Sequence, residues 1–172
     1  MLTTRVVKVA MVASLALFAL LVTYNNLVDY GSNYTFVRHT LSMDTTFPDN
    51  ALRERAITAP ALWTAAYWLI ISAEGLTGVV LAVAAWRMLR ALRDPAAQFN
   101  AAKQWVSAGV GIGFLLWFTG FMVVGGEWFA MWQSPTWNGQ AAAFRFYMTM
   151  LAVLIFVNQP DSDLAGRRGE TR

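Results

Sequence analysis

The stretch VAMVASLALFALLV at residues 9–22 decides the fold, because it carries no charged side chain over its whole length. It lies within a longer apolar run at about 6–28, and further apolar runs follow at about 60–92, 102–124 and 140–157. A membrane-spanning helix needs roughly 20 consecutive apolar residues. The sequence therefore predicts an all-α bundle of four transmembrane helices, forming a single domain over residues 1–172.

The composition supports this prediction and limits the chemistry. Hydrophobic residues make up 57% of the chain and charged residues 13%, and the mean hydropathy is +0.44. The absence of cysteine excludes disulfides, Cys-based zinc sites and iron–sulfur clusters, and the single His39 excludes bis-histidine haem ligation within one chain. There is no catalytic motif and no basic run typical of nucleic-acid binding. We expect no cofactor, no metal and no nucleic acid, and we lean against an enzyme.

The distribution of basic residues predicts the orientation. The ends of the chain and the connection between spans 2 and 3 carry Arg5, Lys8, Arg87, Arg90, Arg93, Lys103, Arg167, Arg168 and Arg172. The opposite side carries only Arg38, Arg53, Arg55 and Arg145. Because cytoplasmic loops are enriched in Lys and Arg, both termini should be cytoplasmic, in the inner membrane of a bacterium. The first run could instead be a signal peptide, but it is long for one and no clear cleavage site follows.

The polar segments predict a periplasmic cap and a tail. An unstructured loop as long as 30–58 is uncommon in a compact domain, so short helices are expected at 33–43 and around 52–55, the second capped by Asp49 or Asn50. Together with residues 127–140 they would form a structured outward cap. The tail at 158–172 is polar, and we expect it to be cytoplasmic and frayed from Asp161 onward.

Glu74 is the sharpest candidate for a functional residue, because it falls near the middle of span 2. A charged carboxylate there is costly, so it should face the bundle, pair with another group or carry a proton. Candidate hydrogen-bond partners on the same helix are Ser72, Thr77 and Tyr67. We interpret Glu74 as a proton or ligand site; the alternative is a neutral side chain that joins helices beside Gly75 and Gly78.

A second group of polar residues falls at the outer ends of the spans. Glu127 and Arg145 flank a short loop and could form an ion pair, which would either lock the hairpin or position Arg145 for an anionic group. Asn25, Asn26 and Asp29 lie at the outer end of span 1, where Asn25 and Asp29 are four residues apart and share one helix face. They could complete a polar pocket with Glu127 and Arg145, or simply solvate a helix end.

Further candidates lie in the cap. Arg38, His39 and Asp44 are candidate ligand- or proton-binding residues. On a helix, His39 and Met43 would be neighbours, so they could not bind opposite faces of one haem. A hydrogen-bonding or interfacial role for His39 is favoured over a metal site shared with Asp44 or Glu127.

Three tryptophans, Trp128, Trp132 and Trp137, cluster in the loop before span 4. Such residues are typical of the aromatic belt at a membrane interface. The alternative is a platform for a flat ligand or a partner.

Four segments carry a resemblance to a known family: FVRHTLSMDTTFP at 36–48, GGEWFAMWQS at 125–134, WNGQ at 137–140 and AFR at 143–145. They are similar to segments of the bacterial family DUF2165, described as predicted small integral membrane proteins. The resemblance covers nearly the whole chain. It implies a four-helix protein of bacterial inner membranes and implies no established activity.

Three classes of function remain open. The leading hypothesis is a non-enzymatic accessory or interaction subunit of an inner-membrane complex, for example a respiratory one. The alternative is a lipid-, quinone- or small-molecule-binding protein, or an oligomeric transporter, that uses an outward polar pocket. A quinone-dependent enzyme is the weakest reading, because no electron carrier could be ligated. The expected partners are the lipid bilayer and either a larger complex or further copies of the chain.

Overall fold

The computed structural model describes residues 1–164, and the part of the tail at 165–172 lies outside the described residues. The described chain is helical, with no β-strand. Its elements are α1 (Leu2–Val28), α2 (Tyr30–Ser42), α3 (Pro60–Arg90), α4 (Ala96–Ala102), α5 (Gln104–Phe114), a π-helical segment (Leu115–Trp128) and α6 (Gln140–Asn158). Four helices are long and apolar enough to cross a membrane, namely Leu2–Val28, Pro60–Arg90, Ala96–Trp128 and Gln140–Asn158. The predicted all-α bundle of four spans is confirmed.

The first span buries one stripe of its surface against the rest of the bundle. The stripe consists of residues three, four or seven apart, which share a helix face: Arg5, Lys8, Val12, Leu15, Ala16, Ala19 and Asn26. Its main neighbour is α3, and the two helices approach closely at Gly78. A Cβ atom added to Gly78 would lie 2.7 Å from Cγ of Leu20 and 3.0 Å from the Leu20 backbone nitrogen. Only glycine allows this approach.

The third span is longer than predicted and changes geometry along its length. The sequence predicts one α-helix over 102–124, but the helix begins at Ala96 and its last 14 residues, Leu115–Trp128, are π-helical. The amide of Phe129 donates to the carbonyl of Val124 at 3.0 Å, a bond between residues five apart. Because a π-helix is wider than an α-helix, this half of the span presents its side chains at a different spacing.

A cap of short elements closes one end of the bundle, which we call the cap side. It contains α2 and two 3₁₀ turns, Arg53–Arg55 and Met131–Gln133. The predicted cap by Asp49 or Asn50 is wrong, because the N-cap position of the Arg53–Arg55 turn is Leu52. The Asn50 side-chain oxygen instead accepts a hydrogen bond from the Leu52 amide at 2.9 Å, just before the turn.

Side chains join the two parts of the cap. The hydroxyl of Thr45 donates to the hydroxyl of Ser134 at 2.8 Å, and the amide of Phe47 donates to the Gln133 side chain at 3.1 Å. The cap is thus tied to the loop before α6 by specific hydrogen bonds.

The opposite end, which we call the terminal side, holds a buried cluster of charges. Nζ of Lys8 lies 2.7 Å from Oδ2 of Asp161, and Lys103 contacts the same oxygen. Nη1 of Arg5 donates to the carbonyls of Leu92 and Asp94, and its Nη2 donates to the carbonyl of Ser162. These bonds hold the start of the tail against the bundle. The prediction that the tail is frayed from Asp161 is therefore wrong for Asp161 and Ser162.

The two lysines determine the charge state of this cluster. Burial acts to raise the pKa of Asp161, but hydrogen bonds and charge from Lys103 and Lys8 outweigh it and hold the pKa below its usual range. Asp161 is therefore a carboxylate at neutral pH, and it supplies the negative charge that two buried ammonium groups require.

Candidate ligand-binding site in the bundle

Glu74 is buried between the helices, with 3% of its surface exposed, and its partner comes from another span. Nδ2 of Asn26 on α1 donates to Oε2 of Glu74 at 2.6 Å. The predicted partners on its own helix are wrong: Ser72 is exposed, Thr77 donates to the carbonyl of Ala73, and Tyr67 donates elsewhere.

Asn26 is held by polar contacts on three sides. Its Oδ1 accepts a hydrogen bond from Nδ2 of Asn33 on α2 at 2.6 Å, and its backbone carbonyl accepts one from the Tyr67 hydroxyl at 3.1 Å. The amide nitrogen of Asn26 can only donate and its oxygen can only accept. With the nitrogen towards Glu74 and the oxygen towards Asn33, Asn26 forms hydrogen bonds to both side chains. The result is a hydrogen-bonded series that runs from exposed Asn33 through Asn26 to buried Glu74.

A cavity of about 260 Å³, which we call the polar cavity, lies beside this series. All four spans and α2 contribute to it. Its polar lining is Glu74, Asn26, Asn33 and Tyr67, and its aromatic lining is Phe36, Trp117, Phe121 and Phe146 in addition to Tyr67. Within the described residues, no Lys, Arg or His lines it. The cavity therefore combines one carboxylate with several aromatic rings.

A second cavity, of about 230 Å³, lies between α2, α3 and the π-helical segment. We call it the apolar cavity, since its lining is hydrophobic apart from Thr40. The hydroxyl of Thr40 is buried and has no hydrogen-bond partner within the described residues. Buried polar atoms usually have a partner, so an unpartnered hydroxyl in an apolar wall is a feature that needs a cause.

The predicted outer polar group is not assembled in the structure. Glu127 and Arg145 are both exposed, and the ion pairs within residues 1–164 do not include one between them, so the predicted pair is wrong. Asn25 and Asp29 are also exposed, and Asp29 accepts a hydrogen bond from the Ser32 hydroxyl at 2.8 Å. None of these four residues lines either cavity.

His39 and Asp44 form a pair in the cap. Nδ1 of His39 lies 2.8 Å from Oδ1 of Asp44, and the imidazole stacks on Trp137 with ring centres 4.8 Å apart and planes inclined by 12°. Arg38 is exposed on the same helix. In residues 1–164 no group of three or more His, Asp or Glu side chains is placed to hold a metal ion. The pair fixes the ring against the loop before α6.

The three predicted interface tryptophans have different surroundings. Trp128 and Trp132 are exposed, as expected of an aromatic belt, and the Arg55 guanidinium lies 4.5 Å from the ring centre of Trp128. Trp137 is half-buried beneath His39 and belongs to the cap.

Sequence reasoning missed Asn33 and preferred Asn25 to its neighbour Asn26. The signal for Asn26 was present, because Ala19 and Asn26 are seven residues apart and Ala19 lies in the most apolar part of span 1. No comparable signal pointed to Asn33, which reaches Asn26 only because the chain turns at Asp29 between α1 and α2.

Comparisons with known proteins agree with this architecture. A family model for DUF2165, described as predicted small integral membrane protein, matches residues 4–160. That range includes both cavities, the cap and most of the terminal-side cluster. No curated protein and no solved structure matches the chain.

Proposed function

We propose, from the premise that the chain belongs to the DUF2165 family of predicted small integral membrane proteins, that it binds a small organic cation in the polar cavity. The observation that carries the proposal is the buried carboxylate of Glu74 in a cavity walled by aromatic rings. Its neighbours in the cavity are two amides and a phenol, and no cationic side chain of residues 1–164 lines it.

The carboxylate of Glu74 has capacity for a ligand. Asn26 donates to Oε2, whereas Oε1 receives no hydrogen bond from the described residues. Oε1 is also not one of the fully buried polar atoms that lack a partner, so it is accessible from the cavity. A carboxylate has room for several donors on its two oxygens. The ionised form of Glu74 would favour a cation in a low-dielectric interior, because a buried charge is most stable when paired.

The aromatic lining selects the kind of cation. A cation over the face of Trp, Tyr or Phe within about 6 Å of the ring centre is attracted by the ring, and such cages are used for ammonium ligands. Calcium prefers six to eight oxygen ligands, and this site offers one carboxylate and two amides. The volume of about 260 Å³ is suited to a ligand of few heavy atoms. A monovalent ammonium fits these properties best.

Exposed Asn33 supports entry from the cap side, since it is the outer end of the hydrogen-bonded series. In this proposal the cap faces outward, both termini are cytoplasmic, and the protein resides in a bacterial inner membrane. The charge bias of the sequence supports that orientation. The ligand would then come from the periplasmic face.

Binding of tetramethylammonium to the full chain in lipid nanodiscs tests the proposal. Trp117 lines the cavity, so its fluorescence should report the ligand. Glu74→Gln keeps the shape of the side chain and removes its charge, and it should abolish binding. Glu127→Gln is the matched control, because it removes an exposed carboxylate that lines neither cavity. Equal affinity in wild type and Glu74→Gln would rule the proposal out.

An accessory-subunit role is a second candidate, supported by one exposed helix face. Ser107, Ala108 and Gly111 on α5 are small and exposed, and nothing lies within 4 Å of a Cβ added to Gly111. Small residues on a membrane helix favour close packing with another helix. Gentle extraction from native membranes followed by intact mass spectrometry should then show a partner, or a second copy, in fixed stoichiometry. A chain that is always alone would exclude this role.

A further inference from the structure

We propose that the cation is amphiphilic, with its charged head beside Glu74 and a hydrocarbon chain in the apolar cavity. The inference rests on the proposed function, because it names the class of ligand for the same site. It also assigns a role to the apolar cavity, which a small head group alone would not use.

The two cavities are neighbours that share a wall. Phe36, Val37, Ile70 and Phe121 line both of them. A single layer of side chains therefore separates the polar cavity from the apolar one. Three of the four, Phe36, Ile70 and Phe121, are only half-buried. A change of rotamer at this wall would connect the two volumes, and side-chain rotamer changes are fast compared with ligand exchange.

The lining of the apolar cavity includes residues that face the bilayer. Leu69 is 72% exposed and Val124 is 42% exposed, and both lie on helices that span the membrane. Molecules that reach this face come from the hydrocarbon region, so they carry apolar chains. An apolar chain in this cavity would make van der Waals contacts with its hydrophobic lining.

Thr40 lies in the wall of the apolar cavity, beside the position that the chain would occupy. It is only 9% exposed, it lines the cavity, and its hydroxyl has no partner within the described residues. A head group at Glu74 and a chain beside Thr40 would occupy both cavities at once. Charge complementarity sets the orientation of the ligand, because the acidic residue lines the polar cavity and no charged side chain of the described residues lines the apolar cavity.

Two probes with the same head separate this inference from the proposed function. Tetramethylammonium tests the head site, and decyltrimethylammonium tests head and chain together, both in nanodiscs of one lipid composition. Gly120→Leu fills the apolar cavity, because an added Cβ at Gly120 meets nothing closer than Leu116 Cδ1 at 3.9 Å. Val123→Leu is the control on the same span, since Val123 is 44% exposed and lines neither cavity.

The expected result is selective. Gly120→Leu should weaken decyltrimethylammonium roughly tenfold, as the exclusion of about two buried methylenes would do, and leave tetramethylammonium unchanged. Val123→Leu should change neither affinity. Comparison within one lipid composition removes the contribution of partitioning into the bilayer. Ala66→Leu, on the α3 side of the cavity, provides a second filling variant if Gly120→Leu does not fold.

The outcomes that overturn the inference differ from those that overturn the proposed function. If Glu74→Gln abolishes binding of both probes while the filling variants leave decyltrimethylammonium unaffected, the chain does not use the apolar cavity and the inference is wrong. If neither probe binds wild type, or if binding persists in Glu74→Gln, the proposed function fails and the inference fails with it.

Discussion

Nδ2 of Asn26 lies 2.6 Å from Oε2 of Glu74, and this contact joins the first span to the second at the bottom of the polar cavity. Both side chains are largely buried, with 5% of Asn26 and 3% of Glu74 exposed. The contact has two roles in consequence. It stabilises the packing of α1 on α3, and it leaves the other carboxylate oxygen available for a ligand.

Replacement of Asn26 by alanine should destabilise the protein by about 2 kcal/mol, because it removes the hydrogen bond to Glu74 and leaves a buried acceptor without its partner. Its neighbour Asn25 is the matched control, since Asn25 is exposed and its replacement by alanine should change the free energy of unfolding by less than about 0.5 kcal/mol. Denaturant unfolding in mixed micelles, followed by circular dichroism, measures both. Equal effects of the two substitutions would contradict the role given to Asn26.

Gly78→Ala should destabilise the packing of α1 on α3 by about 1–3 kcal/mol, because the added methyl would overlap Leu20, including its backbone. Gly111→Ala on α5 has open space and should stabilise its helix by up to about 1 kcal/mol. The sign of the effect thus differs between two glycines in membrane spans. Thermal unfolding of both variants checks this, and a stabilising Gly78→Ala would show that the helices are further apart.

Asp161→Asn should destabilise the protein by about 3 kcal/mol, because Lys8 and Lys103 would remain buried without a counter-charge. Asp163→Asn is the control. Asp163 is exposed and accepts a hydrogen bond from the Ala96 amide, and asparagine retains that acceptor oxygen. Limited proteolysis near the end of α6 should become faster in Asp161→Asn alone. Similar proteolysis of both variants would indicate that Asp161 does not anchor the tail.

Acid should weaken the same cluster. The pKa of Asp161 in the folded protein is held below its unfolded value of about 3.9, so the stability it contributes is present above that value and lost as pH falls through the folded pKa. The stability difference between wild type and Asp161→Asn should therefore be constant near neutral pH and shrink below about pH 4. Unfolding measured from neutral to acidic pH tests this, and a difference that grew on acidification would have the wrong sign.

Thr40→Val should stabilise the unliganded protein by about 1 kcal/mol, because it replaces a buried hydroxyl that has no partner with a methyl of similar size. Thr77 is the matched control. Thr77 is also buried, but its hydroxyl donates to the Ala73 carbonyl at 2.8 Å, so Thr77→Val should bring no gain. Thermal unfolding without ligand measures both, and destabilisation by Thr40→Val would reveal a partner for this hydroxyl.

The sequence predicted the spans well because their signal is strong and local. The run at 9–22 has no charge, Pro60 begins the second span as the first-turn position favours, and the apolar lengths match a bilayer. The sequence predicted less well which polar residue at the end of a helix faces the bundle. Asn25 and Asp29 share a face, but the buried stripe of α1 runs through Ala19 to Asn26, so packing against α3 selected the neighbour.

The remaining differences depend on long-range contacts that local pattern does not encode. Asp161 finds Lys8 and Lys103 only after the bundle forms, although the sequence shows it as one more residue of a polar tail. Glu127 and Arg145 are close enough along the chain to suggest an ion pair. In the structure the span that carries Glu127 ends in π-helical geometry, and a 3₁₀ turn follows before α6. Glu127 and Arg145 are both exposed there and form no ion pair with each other.

The most direct test of the central claim is the affinity for tetramethylammonium of wild type and Glu74→Gln, measured by calorimetry in nanodiscs of one lipid composition. Saturable binding to wild type that disappears in Glu74→Gln, with both proteins equally folded, is the predicted result. Absence of binding to wild type, or equal affinity in the two proteins, would contradict the claim that Glu74 forms a site for an organic cation.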